Sequence, residues 1–229
     1  MTEQLQRKRA PRNTLNPELI VRTALELMDA EGVDSFGMRG LAKRLGVGPM
    51  ALYTYFRGRD ELLDAVRDHA MALNPIQLGG DTWQERVRLT CRGIRGMMLA
   101  HPCLVQLFTA RPLAGHEVPH AVEALLSMLR AAGFDRDAAA RAYLTLFNHV
   151  LGVAAWEVQL SRQLADREGR RQLRETMDSL SRARYPTLVD LVPELNRSNG
   201  DAQYEFGLDL LITGLERVLA QREAGPGAP

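Results

Sequence analysis

The chain has 229 residues, of which 45% are hydrophobic and 25% are charged, and its formal net charge is +1. This composition excludes a disordered, fibrous or peptide-scaffold protein and is typical of one large globular domain or two smaller ones. The charge is uneven, because residues 1–59 carry ten Lys and Arg against six Asp and Glu, whereas residues 60–229 carry nineteen against twenty-two. Positive charge is therefore concentrated near the N-terminus.

The cysteines and the apolar runs indicate the compartment. Cys91 and Cys103 both lie in apolar stretches, and no secretory hydrophobic region precedes them, so we do not expect a disulfide framework. No apolar run approaches the roughly 20 residues of a membrane-spanning helix. We therefore expect a cytoplasmic protein with no membrane partner.

The first elements are an arm and a helix. Residues 1–13 are polar and basic without apolar periodicity, which predicts a flexible basic arm. Its contact with DNA is left open, because a basic arm is often only a solvated tail. Asn16 offers an N-cap oxygen, Pro17 suits the first helical position, and Gly32 predicts the end of the helix.

Three further helices are predicted before residue 74. The second runs from about Met38 to Leu45 and is broken at Gly46. Pro49 starts the third helix, which we expect to continue through Phe56. Asp60 opens a fourth helix that runs to about Leu73, since an acidic residue suits a helix N-terminus. Residues 14–73 thus form the predicted N-terminal domain.

The remainder of the chain is predicted to be helical as well. Residues 74–81 form a linker, and Thr82 and Glu85 then provide a capping box for the next helix. A second domain is predicted over 82–221, followed by a disordered tail over 222–229. The pattern predicts an all-α protein with about nine to ten helices and no strand. Some of these helices are apolar on most of their circumference, which favours a homodimer.

The second and third helices form a helix-turn-helix pattern. The segment Leu41-Ala-Lys-Arg-Leu-Gly-Val47 supplies a supporting helix and its turn. Leu52 and Phe56 are core positions of the next helix. The other faces of that helix carry polar and aromatic side chains, which can bond phosphates or base edges in a major groove.

The segment MRGLAKRLGVGPMALYTYFRGRDELLDAV resembles the DNA-binding domain of the TetR family of bacterial transcriptional regulators, and the agreement covers roughly residues 14–70. The resemblance implies that a defined set of residues lies at double-stranded DNA. These are Arg39, Pro49, Met50, Ala51, Tyr53, Thr54 and Tyr55 in or near the groove, with Arg57 and Arg59 on the backbone. Met50 and Ala51 depart from the usual polar residues of the groove-facing side, so the operator sequence is not predicted.

Several later segments resemble the C-terminal domain of the tetracycline repressor, the protein after which the family is named. They are Trp83-Gln-Glu85, Ala110-Arg-Pro112, Ala132-Gly-Phe134, His149 to Gly152, and Phe206 to Glu216. The resemblance implies a ligand-binding and dimerisation domain, and hence a small organic effector as partner.

The expected magnesium ligands of that repressor are absent here. Leu107 and Trp156 stand where the resemblance implies a His and a Glu, although Glu157 would serve if the register differs by one. An apolar side chain cannot ligate a hard cation. We therefore expect an apolar or aromatic ligand bound without metal or other cofactor. The predicted pocket residues are Thr90, Ile94, Leu107, Arg111, Leu125, Phe147, Asn148, Leu151 and Trp156.

Other chemistry is poorly supported by the sequence. His116 and His120 have i, i+4 spacing, but no carboxylate completes a metal-binding pattern. No acid, base or nucleophile constellation indicates catalysis. We expect a homodimeric, ligand-responsive repressor that leaves a palindromic operator when the effector binds. An activator of the same fold, a helical enzyme with a vestigial DNA-binding head, and an adaptor protein remain alternatives.

Overall fold

The computed structural model describes residues 15–75, 79–111, 115–197 and 200–223. These residues form eleven α-helices and no strand, which confirms the predicted all-α class and exceeds the predicted number of helices by one. The basic arm, part of the linker, Pro112 and most of the predicted tail lie outside the described residues. The last helix extends to Glu223, beyond the predicted end of the second domain.

The helices are α1 (Pro17–Glu31), α2 (Met38–Arg44), α3 (Pro49–Tyr53), α4 (Arg59–Leu73), α5 (Trp83–Ala100), α6 (Cys103–Ala110), α7 (Glu117–Ala131), α8 (Arg136–Leu164), α9 (Arg167–Asp178), α10 (Pro186–Arg197) and α11 (Asp201–Glu223).

The described residues fall into two compact units. The first comprises residues up to 75 together with 100–123, and therefore contains α1 to α4, α6 and the start of α7. The second comprises 79–99 together with 124–223. The chain thus leaves the first unit for α5 and returns to it for α6. The predicted N-terminal domain, which ends at residue 73, does not include this return.

Local signals set the ends of the first helices. The Asn16 side chain accepts a hydrogen bond of 2.8 Å from Leu19 N, as predicted for an N-cap. The third helix ends at Tyr53, three residues before the predicted end. It stops early because the amides of Tyr55 and Phe56 both donate to the carbonyl of Leu52, which closes the chain into a turn.

The second unit packs α8 and α11 together, with α5 alongside α11. The capping box before α5 is present, since Glu85 N donates to Thr82 Oγ1 at 3.2 Å and Glu85 Oε2 accepts from Thr82 N. A ladder of polar pairs joins α5 to α11 in antiparallel register. Its rungs are Gln84 with Glu216, Arg88 with Asp209, Arg92 with Glu205, and Arg95 with Asp201.

Two further findings concern the hydropathy of the helices and the two cysteines. No helix in the described part of the chain has the length and hydropathy to cross a bilayer. Cys91 and Cys103 are both buried free thiols. Burial raises the pKa of the Cys91 thiol to about 12, so this side chain acts as a small apolar core residue.

Candidate nucleic-acid interface and effector site

The turn between α2 and α3 fixes the helix-turn-helix. Leu45 N donates to Leu41 O at 2.9 Å and Val47 N donates to Ala42 O at 3.0 Å, so the chain reverses directly after α2. Gly46 has a φ of 69°, a left-handed conformation that a residue without Cβ adopts readily. Leu52 and Phe56 are buried as predicted, and they hold α3 against the other helices of the first unit.

The outward face of α3 carries the predicted groove residues. Met50 is 76% exposed, Tyr53 is 45% exposed, and Ala51 is half-buried beside them. Removal of this exposed apolar and aromatic surface from water is favourable, so this face is suited to covering by a partner. The structure thus brings these three predicted residues together on one surface.

The hydroxyl groups near the end of α3 differ in their bonding. Tyr55 Oη donates to Leu15 O at 2.8 Å, and Thr54 Oγ1 donates to Ala51 O at 2.7 Å. Both groups are exposed but already have a backbone acceptor. The Tyr53 phenol has no hydrogen-bond partner among the described residues, which leaves it available to a ligand.

The predicted basic contacts fall into two groups. Arg39 and Arg57 are exposed, and neither side chain forms an ion pair with a described residue. Arg59 is half-buried, and its guanidinium donates to Val33 O at 2.8 Å and to Phe36 O at 3.3 Å. The structure therefore places Arg59 as a brace between α4 and the α1–α2 turn, whereas Arg39 and Arg57 point to solvent.

A buried arginine on α4 closes the C-terminal end of α6. Arg67 is 1% exposed and donates to the carbonyls of Leu107 and Arg111, at 3.4 and 2.5 Å. It also pairs with Asp64 at 3.2 Å and lies over the Phe108 ring. The bond to Arg111 O supplies a donor that the helix end lacks, whereas Leu107 O also accepts from the Arg111 amide at 3.2 Å.

Burial lowers the pKa of Arg67, while the carboxylates of Asp64 and Asp68 oppose that shift. Those two carboxylates therefore stabilise the cation inside the first unit.

The next residue on α4 holds the start of α7. The Asp68 carboxylate accepts hydrogen bonds from the amides of His116 and Glu117, at 2.9 and 3.1 Å. Gly115 precedes them with a φ of 86°, and a Cβ there would overlap Asp68 Oδ1. Two adjacent residues of α4 thus form hydrogen bonds with the C-terminal end of α6 and the N-terminal end of α7. We call Arg67 and Asp68, together with the backbone groups of Leu107, Arg111, His116 and Glu117 that they bond, the α4 clamp.

One predicted ligand residue belongs to this network. The Arg111 guanidinium pairs with Asp60 and Asp64 of α4, each at 2.9 Å. Leu107, also predicted for the pocket, is buried in the first unit. The predicted alignment thus assigns to a ligand pocket two residues that the structure places beside α4.

The other predicted pocket residues belong to the second unit. Thr90 and Leu125 are buried, Ile94 and Leu151 are half-buried, and Asn148 is exposed. The remaining two are Phe147, which stacks on Tyr143, and Trp156, which is 62% exposed. These residues alternate between core and surface along α5, α7 and α8.

A cavity of about 960 Å³ lies elsewhere in the second unit. Its walls come from the C-terminal half of α8, from α9 and α10, and from the first residues of α11. Trp156 is the member of the predicted pocket that lines it. A volume of this size is within the range of small-molecule sites.

The sequence reasoning missed the clamp, although α4 carries a signal for it. Leu63, Val66 and Ala70 form a buried stripe along the helix, and Arg67 is in the same stripe. A cation at a core position is rare unless it is paired. That anomaly identifies Arg67 as a special residue but does not reveal which carbonyls it reaches.

Comparison with known proteins agrees with the helix-turn-helix geometry. The sequence profile of bacterial regulatory proteins of the tetR family matches residues 20–66, and that of the tetracyclin repressor-like C-terminal domain matches residues 74–219. The chain belongs to the TetR family. It is therefore related to transcriptional regulators over nearly its whole length, and this confirms the resemblance seen in the sequence.

Individual TetR-family relatives span the chain. The HTH-type transcriptional repressor DrrR1 of Streptomyces coeruleorubidus is 31% identical, over 96% of this chain and 84% of its own. The class C tetracycline repressor protein of Escherichia coli is 32% identical, over 90% and 93%. Apo ActR of Streptomyces coelicolor superimposes with a TM-score of 0.75 at 32% identity, covering 91% of this chain and 98% of ActR. A further ActR structure contains actinorhodin.

Proposed function

We propose that this TetR-family regulator is a cytoplasmic homodimeric repressor that leaves a palindromic operator when a small apolar or aromatic molecule binds its C-terminal unit. The exposed face of α3 is the observation that carries the DNA-binding part of the proposal. Its free Tyr53 phenol and its exposed Met50 are suited to the donors, acceptors and methyl groups of a major groove.

The operator contacts divide into reading and positioning residues. We assign Met50, Ala51, Tyr53 and Thr54 to the groove, with Pro49 and Tyr55 at its edges. Arg39 and Arg57 are assigned to phosphates, because exposed unpaired guanidinium groups form charge-assisted bonds with them. Arg59 reaches a phosphate only by leaving its two backbone acceptors. In a dimer the two α3 helices must lie about 34–36 Å apart to enter successive major grooves.

The effector acts by moving α4. The α4 clamp ties this helix to the end of α6 and the start of α7, and α7 contributes residues to both units. A displacement at the α6–α7 connection is thus passed to α4 through Arg67 and Asp68. The effector shifts the equilibrium only by its different affinities for the two conformations, typically about 1–3 kcal/mol, and operator binding weakens the effector equally.

The effector binds without metal in this proposal. Within the second unit, Thr90, Ile94, Leu125, Phe147, Leu151 and Trp156 supply apolar contacts and Asn148 supplies a polar anchor. Leu107 and Arg111 complete the proposed set, and Arg67 of α4 bonds the carbonyls of both. A site with largely apolar walls and few polar groups is typical for small organic ligands.

Selection of duplexes from a random DNA pool, near physiological salt, tests the DNA-binding part. We expect a palindrome to be enriched, since non-specific attraction is screened under these conditions. Tyr53→Ala should abolish enrichment while the protein remains a folded dimer. Leu73→Ala, at the exposed end of α4, is the control and should enrich the same palindrome. Failure of the folded wild-type protein to enrich any sequence would contradict the proposal.

A further inference from the structure

The basic arm joins the first unit beside α3. Leu15 O, just before α1, accepts a hydrogen bond of 2.8 Å from Tyr55 Oη, although the two residues are 40 positions apart in the chain. The Asn16 side chain then caps α1 by accepting from Leu19 N. Tyr55 follows the exposed Tyr53 of α3 by only two residues. The two bonds therefore hold the start of α1 at the edge of the exposed α3 face.

The sequence of the basic arm concentrates cations close to that point. Four of the six residues from 7 to 12 are basic and none is acidic; the four are Arg7, Lys8, Arg9 and Arg12. An extended chain spans at most about 3.3–3.6 Å per residue, so the Arg12 Cα is within about 11 Å of Leu15 and the Arg7 Cα within about 29 Å. A minor groove is about 6 Å wide and lies across one phosphate backbone from the major groove. The arm is therefore long enough to cross that backbone while α3 is in the major groove.

We propose that the basic arm binds the minor groove of the operator and favours A·T pairs at positions that flank those read by α3. A guanidinium has only donors, and an A·T pair presents only acceptors in the minor groove, whereas a G·C pair adds the donor N2 of guanine. Narrow A·T-rich minor grooves also have an enhanced negative potential that attracts arginine. The proposal rests on the proposed function, because it needs an operator with α3 in its major groove.

Selection from a random DNA pool by two variants tests the contribution of the arm. The arm variant combines Arg7→Gln, Lys8→Gln, Arg9→Gln and Arg12→Gln. The control variant removes the same charge from four exposed arginines of the second unit; its changes are Arg162→Gln, Arg167→Gln, Arg182→Gln and Arg184→Gln. We expect all three proteins to enrich one central palindrome. The wild-type protein and the control variant should also enrich A·T pairs symmetrically around it, and the arm variant should not.

Inosine locates the readout in the minor groove. An I·C pair lacks the N2 amino group of a G·C pair but presents the same major-groove edge. We expect the wild-type protein, near physiological salt, to bind an operator with A·T flanks about tenfold more tightly than one with G·C flanks. I·C flanks should bind like A·T flanks. The arm variant should bind the three operators with affinities that agree within about twofold.

Three results would overturn the proposal. The first is the same flanking sequence for the arm variant and the control variant. The second is an equal loss of affinity of the arm variant for A·T and G·C flanks, which would make the arm a non-specific phosphate contact. The third is wild-type binding to I·C flanks that matches binding to G·C flanks, which would place the readout in the major groove. Enrichment of no palindrome by the wild-type protein would overturn the proposed function as well, so the two failures are distinguishable.

Discussion

Two networks of charged side chains, one in each unit, differ in what they bond. In the first unit, Arg67 and Asp68 are bonded mainly to backbone groups at the ends of α6 and α7. In the second unit, the arginines of α5 pair with carboxylates of α11, side chain to side chain. In the first network Arg67 is buried and Asp68 is half-buried, whereas most rungs of the second are exposed to solvent.

The difference separates a network that fixes the ends of helices from one that aligns two helices side by side. A buried cation bonded to helix ends fixes where those ends lie, and its removal leaves buried acceptors without donors. Exposed pairs between long side chains are screened by water and contribute little. The ladder therefore sets the register of α5 against α11, while the clamp holds α4, whose first half lies in the DNA-binding domain, to the ends of α6 and α7.

Removal of Arg67 should produce the largest effect. Arg67→Met removes the donor to the Arg111 carbonyl, leaves the Leu107 carbonyl with only the Arg111 amide, and leaves Asp64 without its buried cation, so we expect the free energy of unfolding to fall by about 3 kcal/mol. Urea denaturation of the dimer measures it. Arg57→Met is the control and should change stability by less than about 0.5 kcal/mol, because its side chain is exposed. Equal losses in the two variants would contradict the role of the clamp.

Arg95 is the exception within the ladder, and its variant should rank second. Its side chain is 11% exposed, it forms a two-point pair with Glu157, and it lies 4.6 Å from the Tyr204 ring centroid. We expect Arg95→Met to lose about 2 kcal/mol, since charge-assisted bonds in a partly buried site are strong. Thermal unfolding checks this. If Arg95→Met loses no more stability than a variant of an exposed ladder residue, Arg95 contributes no more than the exposed pairs do.

The clamp also depends on a residue without a side chain. Gly115→Ala forces a Cβ into a left-handed conformation and against the Asp68 carboxylate, which should destabilise the protein by about 1–2 kcal/mol. Gly93→Ala provides the control. Gly93 is in the interior of α5 with open space around its Cβ position, so this change should stabilise by about 0.5–1 kcal/mol. The unfolding midpoint should fall in Gly115→Ala and rise in Gly93→Ala, relative to the wild-type protein. A rise in both variants would contradict the account of Gly115.

The smallest effect is expected at an exposed rung. Arg92 is 50% exposed, so Arg92→Gln should cost no more than about 0.5 kcal/mol and less at high salt. Arg92 holds the pKa of Glu205 below its ordinary value. The contribution is therefore complete above a pH of about 4.3 and is lost as the pH falls through the lower folded value. A difference that grows on acidification would contradict this assignment.

The sequence predicted those features that depend on neighbouring residues. The Asn16 cap, the Gly46 turn and the box formed by Thr82 and Glu85 each involve groups at most four residues apart. The buried positions Leu52 and Phe56 followed from helical spacing. Local rules therefore sufficed for these features, but not for the end of α3, which lies at Tyr53 instead of the predicted Phe56.

The sequence could not predict pairings between distant segments. Arg67 reaches a carbonyl 44 residues away, and Asp68 reaches an amide 48 residues away. Arg111 was expected at a ligand because an apolar pocket needs a few fixed polar groups, and its pairing with Asp60 and Asp64 was not visible in the sequence. The sequence also could not predict that residues 100–123 belong to the first unit, because no local signal marks this.

We propose that DNA contact at α3 is coupled through α4 to the start of α7. Hydrogen exchange of the dimer, with and without the selected operator duplex, tests it most directly. We predict that operator binding slows exchange of the His116 and Glu117 amides, which donate to Asp68 far along the chain from α3. Protection confined to α1, α2 and α3 would contradict the coupling.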